Sequence, residues 1–408
     1  MKRTICLAGK HSIVLNAMRH LQDNFDPTDF SLVGCLNKSD TEEDNWQPSF
    51  ASYCKKSNIP VLSLEACYEI ENLLFISLEF DRIIKPAKFS TSRLFNIHFS
   101  KLPAYKGMYT SVFPLLQGIS ESGVTLHRID KGIDTGEIID QRTFQLPLEY
   151  NSYDLYNQCL KESYILFVDN IQSLINGTEV SSKQPSEGSS YYSKGSLVFS
   201  AITVDYNKTA FEIHNQLRAF CFREYQLPLF MGNAIYKSEI ILNPSEGKPG
   251  TVVCETPWHI LINTIDYQVK LYIDKLDCLL DAAAKGDIDA FTNIELSGFP
   301  VSTKNKKGWD ALIVACYNNQ TDFIQYLLEA GWDVNTKNYN ETTAAMYAMT
   351  AAATHNDISI LKMIASYSPD WNSVDKNGKD IFQYAREYNN TNVIAFLSAY
   401  PDKSKHTC

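Results

Sequence analysis

No run in this chain approaches the roughly 20 apolar residues a membrane span needs, so a membrane role is not expected. No Cys-x-x-Cys pair occurs, and no cysteine stands at zinc-ligand spacing from a histidine. The ten cysteines are scattered, at positions such as Cys6, Cys35, Cys54, Cys67 and Cys159, which fits reduced core thiols of a cytoplasmic protein and predicts no metal site. Positive charge is short: 37 Lys and Arg stand against 47 Asp and Glu, a net charge of -10. Phosphate backbones are bound by clustered Lys and Arg, so nucleic acid is not an expected partner and a tRNA substrate is disfavoured. The first turn, Ala8-Gly9-Lys10-His11-Ser12, lacks both the three glycines of a dinucleotide fold and a Walker A sequence. A nucleotide cofactor is therefore not expected there. The basic start, Met1-Lys2-Arg3, has no signal-peptide core behind it, because Lys10-His11 breaks the apolar run.

What is present reads as a globular chain of two or three domains: 408 residues, 44% hydrophobic and 21% charged. Residues 4–9 form a short apolar run and 13–21 carry helical apolar spacing, the opening of an α/β domain. Further strands are expected at 30–35, 73–76 and 93–99, and their helical spacers predict a mainly parallel sheet. Residues 183–196, rich in Ser, Gly and Lys, read as a linker or exposed loop. Beyond it, 204–220 is helical in pattern, and Gly232-Asn233 marks a hairpin turn within 229–236. Strands at 251–254, 259–265 and 267–273 complete a small β-rich subdomain. The expected division is a catalytic domain over 1–195, the β-rich subdomain over 196–275 and a third region over 276–408.

The third region repeats. Thr303-Lys304-Asn305 returns 33 residues later as Thr336-Lys337-Asn338, Gly298 as Gly331 and Val301 as Val334. Ala315 returns as Ala348 and, 37 residues on, as Ala385. The period and the helix start Gly308-Trp309-Asp310-Ala311-Leu312 resemble the ankyrin repeat, although the usual Thr-Pro-Leu-His is replaced throughout. The four extra residues are expected in the alanine-rich stretch near 350–355.

The densest signal lies elsewhere. It reads Phe95-Asn96-Ile97-His98-Phe99-Ser100-Lys101-Leu102-Pro103-Ala104-Tyr105-Lys106-Gly107, then, from Gly123, Gly-Val-Thr-Leu-His-Arg-Ile-Asp-Lys-Gly-Ile-Asp-Thr-Gly, ending at Gly136. Asn96 and His98 are two apart at the end of an apolar strand, so their side chains share one face. The carboxyl ends of strands in such sheets are where ligands bind. Asp134 sits between Gly132 and Gly136 on a tight loop that can bring a carboxylate to them. Taken singly, Asn-x-His is more often a satisfied core pair and Asp-Thr-Gly a plain turn; their joint spacing and order carry the case.

That stretch resembles the signature of the 10-formyltetrahydrofolate-dependent formyltransferases. The family carries Asn-x-His, a Ser-Leu-Leu-Pro-like loop, then Gly-Val-Thr and Asp-x-Gly-x-Asp-Thr-Gly. This chain departs at Lys101, where Leu is usual. The resemblance implies catalytic roles for Asn96, His98 and Asp134. A neutral amine attacks the formyl carbon; Asn96 donates to the developing oxyanion and protonated His98 can help. His98 also relays the amine proton toward the folate nitrogen, and Asp134 either orients His98 or joins the relay through water. The resemblance further implies a folate pocket over 76–86, with Phe80, Ile84 and Pro86, residues that can equally be plain core. It requires 10-formyltetrahydrofolate as co-substrate and no metal.

Among acceptors known in the family, nucleotide-linked amino sugars fit best, because the helix His214-Asn215-Gln216-Leu217-Arg218-Ala219-Phe220 followed by Tyr225-Gln226 resembles those enzymes. The expected substrate is a dTDP-linked sugar with its amine on C3 or C4, for surface polysaccharide (O-antigen) synthesis. Acceptor contacts are placed on Lys101, Tyr105, Lys106, Arg218 and Tyr225; Arg218 and Tyr225 can instead hold the subdomain together. A homodimer through the β-rich subdomain is a further implication. The alternatives are a formyltetrahydrofolate hydrolase, or an ankyrin scaffold on a silent fold. The repeats themselves read either as a protein-binding or structural module, or as a second nucleotide-sugar site at Lys304, Asn305, Trp309, Tyr317 and Tyr339, where lysines flank aromatic rings able to stack on a base.

Overall fold

The computed structural model describes residues 3–199 and 202–401. Met1 and Lys2 of the basic start lie outside the described residues. The chain divides into two compact units, with the change at Ile273/Asp274.

The first unit opens with β1 (Arg3–Gly9), α1 (His11–Asn24), β2 (Phe30–Leu36), α2 (Phe50–Lys56), α3 (Leu64–Tyr68) and β3 (Leu73–Leu78). It continues with β4 (Leu94–His98), β5 (Lys106–Gly107), α4 (Phe113–Leu116), β6 (Glu121–Arg128), β7 (Ile138–Gln145) and α5 (Ser152–Asn176). Six strands form one sheet in the order β2-β1-β3-β4-β6-β7. The first four are parallel; β6 runs antiparallel to β4, and β7 antiparallel to β6. The near-continuous apolar strands follow from burial on both faces. Ile5 and Leu7 of β1 point into a cluster with α1 and α5, while Cys6 and Ala8 meet Leu64 and Cys67 of α3 on the other side. β7 reverses for a local reason: residues 129–137 join it to β6, too short a link for the crossover that parallel strands require.

The remainder of this unit is β8 (Tyr191–Tyr192), α6 (Ala210–Phe220), β9 (Leu229–Phe230), β10 (Asn233–Pro244), β11 (Val252–Glu255), β12 (His259–Asn263) and β13 (Tyr267–Ile273). β9 to β13 make a five-stranded antiparallel sheet, order β11-β12-β13-β10-β9. Ile213 and Leu217 of α6 bury against Ile260, Ile262, Val269 and Leu271 of its inner face. Three expectations need correction. The hairpin turn is Met231-Gly232, one residue earlier than expected, because both adopt positive φ (48° and 83°) and Phe230 pairs with Asn233. Residues 204–209 are not helical; Thr209 caps α6 in a capping box with Glu212. Residues 183–196 are mostly exposed but are not a free linker, since β8 pairs with β5 in parallel.

The second unit is helical: α7 (Leu276–Lys285), α8 (Ile288–Leu296), α9 (Ala311–Tyr317), α10 (Thr321–Glu329), α11 (Ala344–His355), α12 (Ser359–Ala365), α13 (Ile381–Tyr388) and α14 (Thr391–Leu397). The repeated Ala315, Ala348 and Ala385 are all buried, in α9, α11 and α13. α11 runs 12 residues against 7 in α9 and 8 in α13, so the inserted turn is the alanine-rich stretch. Gly308 and Gly378 hold φ of 79° and 75°, conformations that favour glycine at these two fingers, whereas Glu341 takes φ 61° in the finger between them. Among the described residues no helix is long and apolar enough to cross a membrane.

Candidate active site

Asn96 and His98 sit on β4 between the buried residues Phe95, Ile97 and Phe99. The antiparallel register sets Asn96 opposite His127 and His98 opposite Thr125, on one sheet face. Thr125 receives the N–H of Leu102 at 3.1 Å and donates to the carbonyl of Ser100 at 2.7 Å, which anchors the loop that follows β4.

The loop after β6 is shaped by its own residues. Asp130 accepts from the Gly132 N–H and from the Thr135 hydroxyl, at 3.0 and 2.6 Å. A Cβ on Gly136 would fall 1.7 Å from the Arg128 carbonyl oxygen, so only glycine fits. Asp134 itself is held at φ 53°, a strained backbone for a residue other than glycine. Its carboxylate thereby reaches four partners, one of them His127 Nε2, 3.5 Å from Oδ1. Asn96 Nδ2 donates to Oδ1 at 3.3 Å, the Gly107 N–H donates to Oδ2 at 2.9 Å, and His98 Nδ1 lies 3.5 Å from Oδ2. The three residues singled out from the sequence are thus gathered around one carboxylate.

Burial alone would push the Asp134 carboxyl up, but His98, His127 and the Gly107 N–H together hold it well below the usual carboxylate range. Burial dominates for His98 and lowers its basicity, with Asp134 opposing that fall. At neutral pH the pair is therefore a carboxylate beside a neutral imidazole. His98 Nε2 donates to the Tyr105 carbonyl at 2.8 Å, so the proton enters and leaves His98 at Nδ1, the atom that faces Asp134.

The other expected contacts fall in several places. Tyr105 is buried at φ 59°, with its hydroxyl on Gln117 at 2.6 Å, and it lends His98 its backbone carbonyl. Lys106 reaches Ser189 Oγ at 2.9 Å beside the cluster. Lys101 turns away to pair with Glu121 at the half-exposed surface, which accounts for its tolerance where the signature has Leu. Phe80 and Ile84 are half-buried against the sheet, and Pro86 opens a short turn, Pro86–Lys88. Arg218 is buried, donating to Asn215 Oδ1 and to the carbonyls of Pro147, Leu148 and Tyr150. Those bonds fasten α6 to the start of α5. Arg218 also lines a cavity of about 570 Å3 with Glu149, His214 and Ser238, none of the trio being among its walls. Tyr225 is 59% exposed, its ring 4.8 Å from that of Phe222.

In the second unit, Trp309 packs 5.3 Å from Tyr317 and 4.9 Å from Tyr347. Lys304 Nζ donates to the Lys337 carbonyl at 2.6 Å, and Asn305 Oδ1 accepts the Lys307 and Trp309 N–H groups. Both hold the finger in shape. Tyr339 lies against Gly308.

Sequence reasoning passed over three residues. His127 is 2% exposed and lies 3.1 Å from Asn96 and 3.5 Å from Asp134. Its cross-strand register with Asn96 was the available signal. Gln184 Nε2 holds the carbonyls of Asp134 and Gly136 at 2.9 and 2.7 Å, and Ser190 Oγ accepts the Tyr105 N–H at 2.8 Å. Both come from the stretch read as a linker or exposed loop, where nothing in composition marks them. Among the described residues no group of three or more His, Cys, Asp or Glu is placed to hold a metal ion.

Comparison with known proteins gives consistent matches. The family described as Formyl transferase matches residues 66–171, and Ankyrin repeats (3 copies) matches 279–351. WlaRD, a sugar 3N-formyl transferase solved with dTDP and 5-N-formyl-THF, is 40% identical; the match covers 67% of this chain and 98% of WlaRD, TM-score 0.63. The N-formyltransferase from Helicobacter canadensis, solved with folinic acid and dTDP-3-aminofucose, is also 40% identical, covering 67% of this chain and all 100% of that one, TM-score 0.62. Among curated relatives, the methionyl-tRNA formyltransferase of Chlorobium phaeovibrioides is 31% identical over 183 residues, 43% of this chain and 56% of that protein. That of Clostridium beijerinckii is 28% identical over 163 residues, 39% of this chain and 51% of that protein. The chain spans about half the length of the curated relatives it matches.

Proposed function

This chain belongs to the sugar N-formyltransferases, with ankyrin repeats following the formyltransferase region, and on that premise we propose that it formylates the amine of a dTDP-linked amino sugar. The formyl donor is 10-formyltetrahydrofolate, and the amine stands on C3 of the sugar. The observation that carries the reading is the convergence of Asn96, His98 and Asp134 at a strand end, in a chain 40% identical to two such enzymes over nearly their whole length. Both of those proteins are described with dTDP or a dTDP-3-amino sugar, which favours C3 over C4.

The residues divide the work. Asn96 offers an amide N–H to the formyl oxygen as charge develops there, worth about two to three powers of ten in rate. His98 receives the amine proton at Nδ1, Asp134 stabilises the imidazolium that results, and the proton passes on to the folate nitrogen as its bond to the formyl carbon breaks. The loop carrying Phe80 and Ile84, with Ile83 70% exposed, offers an apolar wall to the pteridine. Lys106 and Tyr225 remain contacts for the nucleotide sugar in this reading. We also infer a cytoplasmic homodimer joined through the five-stranded sheet, where Leu242 and Ile265 are 76% and 57% exposed. A role in O-antigen synthesis follows from the sugar class.

The test is formyl transfer to a panel of dTDP-3-amino, dTDP-4-amino and tRNA acceptors, with a no-acceptor control for hydrolysis. Asn96→Ala, His98→Ala and Asp134→Ala should each lower turnover by about two powers of ten or more while the fold survives. Near-normal turnover in His98→Ala, or formyl-folate consumed equally without acceptor, would overturn it.

A further inference from the structure

The carboxamide of Asn96 has two N–H groups, and both meet the protein. One faces His127 Nε2, 3.1 Å from Nδ2, and the other faces Asp134 Oδ1 at 3.3 Å. Which way that amide points is decided by two groups, the Asp134 carboxylate, which can only accept, and His127. The Nδ1 of His127 lies 2.8 Å from the Arg128 carbonyl, which can only accept, so Nδ1 carries a proton. In the neutral ring Nε2 is then a lone pair, and only the nitrogen end of Asn96 can satisfy it. A proton at Nε2 as well would set N–H against N–H and turn the ring toward Asp134 Oδ1, 3.5 Å away. The ring has little freedom to escape: it is 2% exposed, and the His98 ring lies edge-on with centroids 6.5 Å apart.

We propose that His127 is a positioning residue for formyl transfer, and that as the neutral Nδ1–H tautomer it takes one amide hydrogen of Asn96 and fixes the other for use. The second N–H makes only a long contact to Asp134, so a developing oxyanion beside it can share that hydrogen without the amide rotating. Preorganised donors of this kind gain their rate by needing no reorganisation during the reaction. Without an acceptor at Nε2 the amide is held by the long Asp134 contact alone, and its N–H no longer keeps one direction for the oxyanion. The inference rests on the formyl-transfer reading of Asn96 given above.

Two measurements on the full chain test it. The first reads the resting state alone: long-range 1H–15N spectra of histidine-labelled protein, with His127 assigned by its loss in His127→Gln, should show an Nδ1–H tautomer at pH 7.5. An Nε2–H tautomer would overturn the inference, whatever the activity. The second is a double-mutant cycle on kcat with KM for both substrates followed. His127→Leu should lower kcat about 10-fold or more with little change in KM, and His127→Gln, which keeps an acceptor near Nε2, should stay within about threefold of wild type. In the Asn96→Ala background, His127→Leu should cost less than about twofold. Losses that multiply would sink the inference and leave the proposed function standing, whereas intact turnover in Asn96→Ala would sink the reading beneath both.

Discussion

Replacing Gly136 by Ala tests the site's architecture without touching any of its reactive groups. The added Cβ would sit 1.7 Å from the Arg128 carbonyl oxygen and 2.7 Å from its carbon, where ordinary contact begins at about 3.4 Å. Both atoms belong to backbone, so no side chain can swing aside; the two strands of the loop must part by roughly 1.7 Å. The neighbouring bond, Arg128 N–H to the Glu137 carbonyl at 2.9 Å, breaks in the process. Asp134 is two residues away and its contacts to Asn96 and His98 are already 3.3 and 3.5 Å, so a shift of this size takes them beyond reach. Misplacement of about 1 Å at a reacting centre costs roughly 100-fold, and that loss is expected in kcat/KM with a stability loss of about 1–3 kcal/mol. The assay is tetrahydrofolate release with the amino-sugar nucleotide, alongside a thermal melt. Gly177→Ala supplies the control. Gly177 caps α5 at φ 69° with nothing within 4 Å of the new Cβ, so that variant should lose about 1 kcal/mol of stability and no turnover. Gly136→Ala with turnover within threefold of wild type would refute the reasoning.

Other outcomes follow from the same geometry. Because burial disfavours the imidazolium of His98, its NMR titration should have a midpoint below 6.5, the neutral form persisting as pH falls; Asp134→Asn removes the neighbour that favours the charged form and should lower the midpoint further. A midpoint at or above 6.5, or a rise in Asp134→Asn, would contradict the assignment. Arg218→Leu strips donors from three backbone carbonyls and should lower stability by about 2–4 kcal/mol with KM for the nucleotide sugar unchanged. A raised KM with unaltered melting would return Arg218 to the substrate site. We propose that the finger carrying Lys304, Asn305, Trp309, Tyr317 and Tyr339 binds a second molecule of nucleotide sugar. Calorimetry should then count two sites per chain, falling to one in Trp309→Ala; a single site in the wild type would leave the repeats as a scaffold.

Much of this was legible in the sequence wherever a periodic signal met a local constraint. β13 falls at 267–273 as expected, because alternating residues bury against α6. The repeat region was readable because buried alanines and finger glycines recur in register. The trio was readable because Asn-x-His and the glycine-bracketed Asp are each short-range patterns. His127 was not, since its role depends on which strand pairs with β4 and in which register, information that lies across 31 residues. Residues 183–196 are mostly exposed, as their composition reads, yet three of them, Gln184, Ser190 and Tyr192, are held by partners far back in the chain, which composition does not mark. Arg218 shows the converse, a residue picked out by motif whose charge is spent on neighbouring carbonyls.

The short pairing of β5 with β8 bears on how this protein can be recombined with its relatives. The formyl transferase family match ends at residue 171, and a crossover placed there would look conservative. It would carry Asn96, His98 and Asp134 into the hybrid without Gln184, which pins the Asp134 loop, without Ser190, which pins Tyr105, and without Tyr192, whose ring stacks on Phe113 at 3.6 Å. A chimera that keeps its reactive groups aligned needs its junction beyond residue 192, so the smallest exchangeable cassette is longer than the shared pattern suggests.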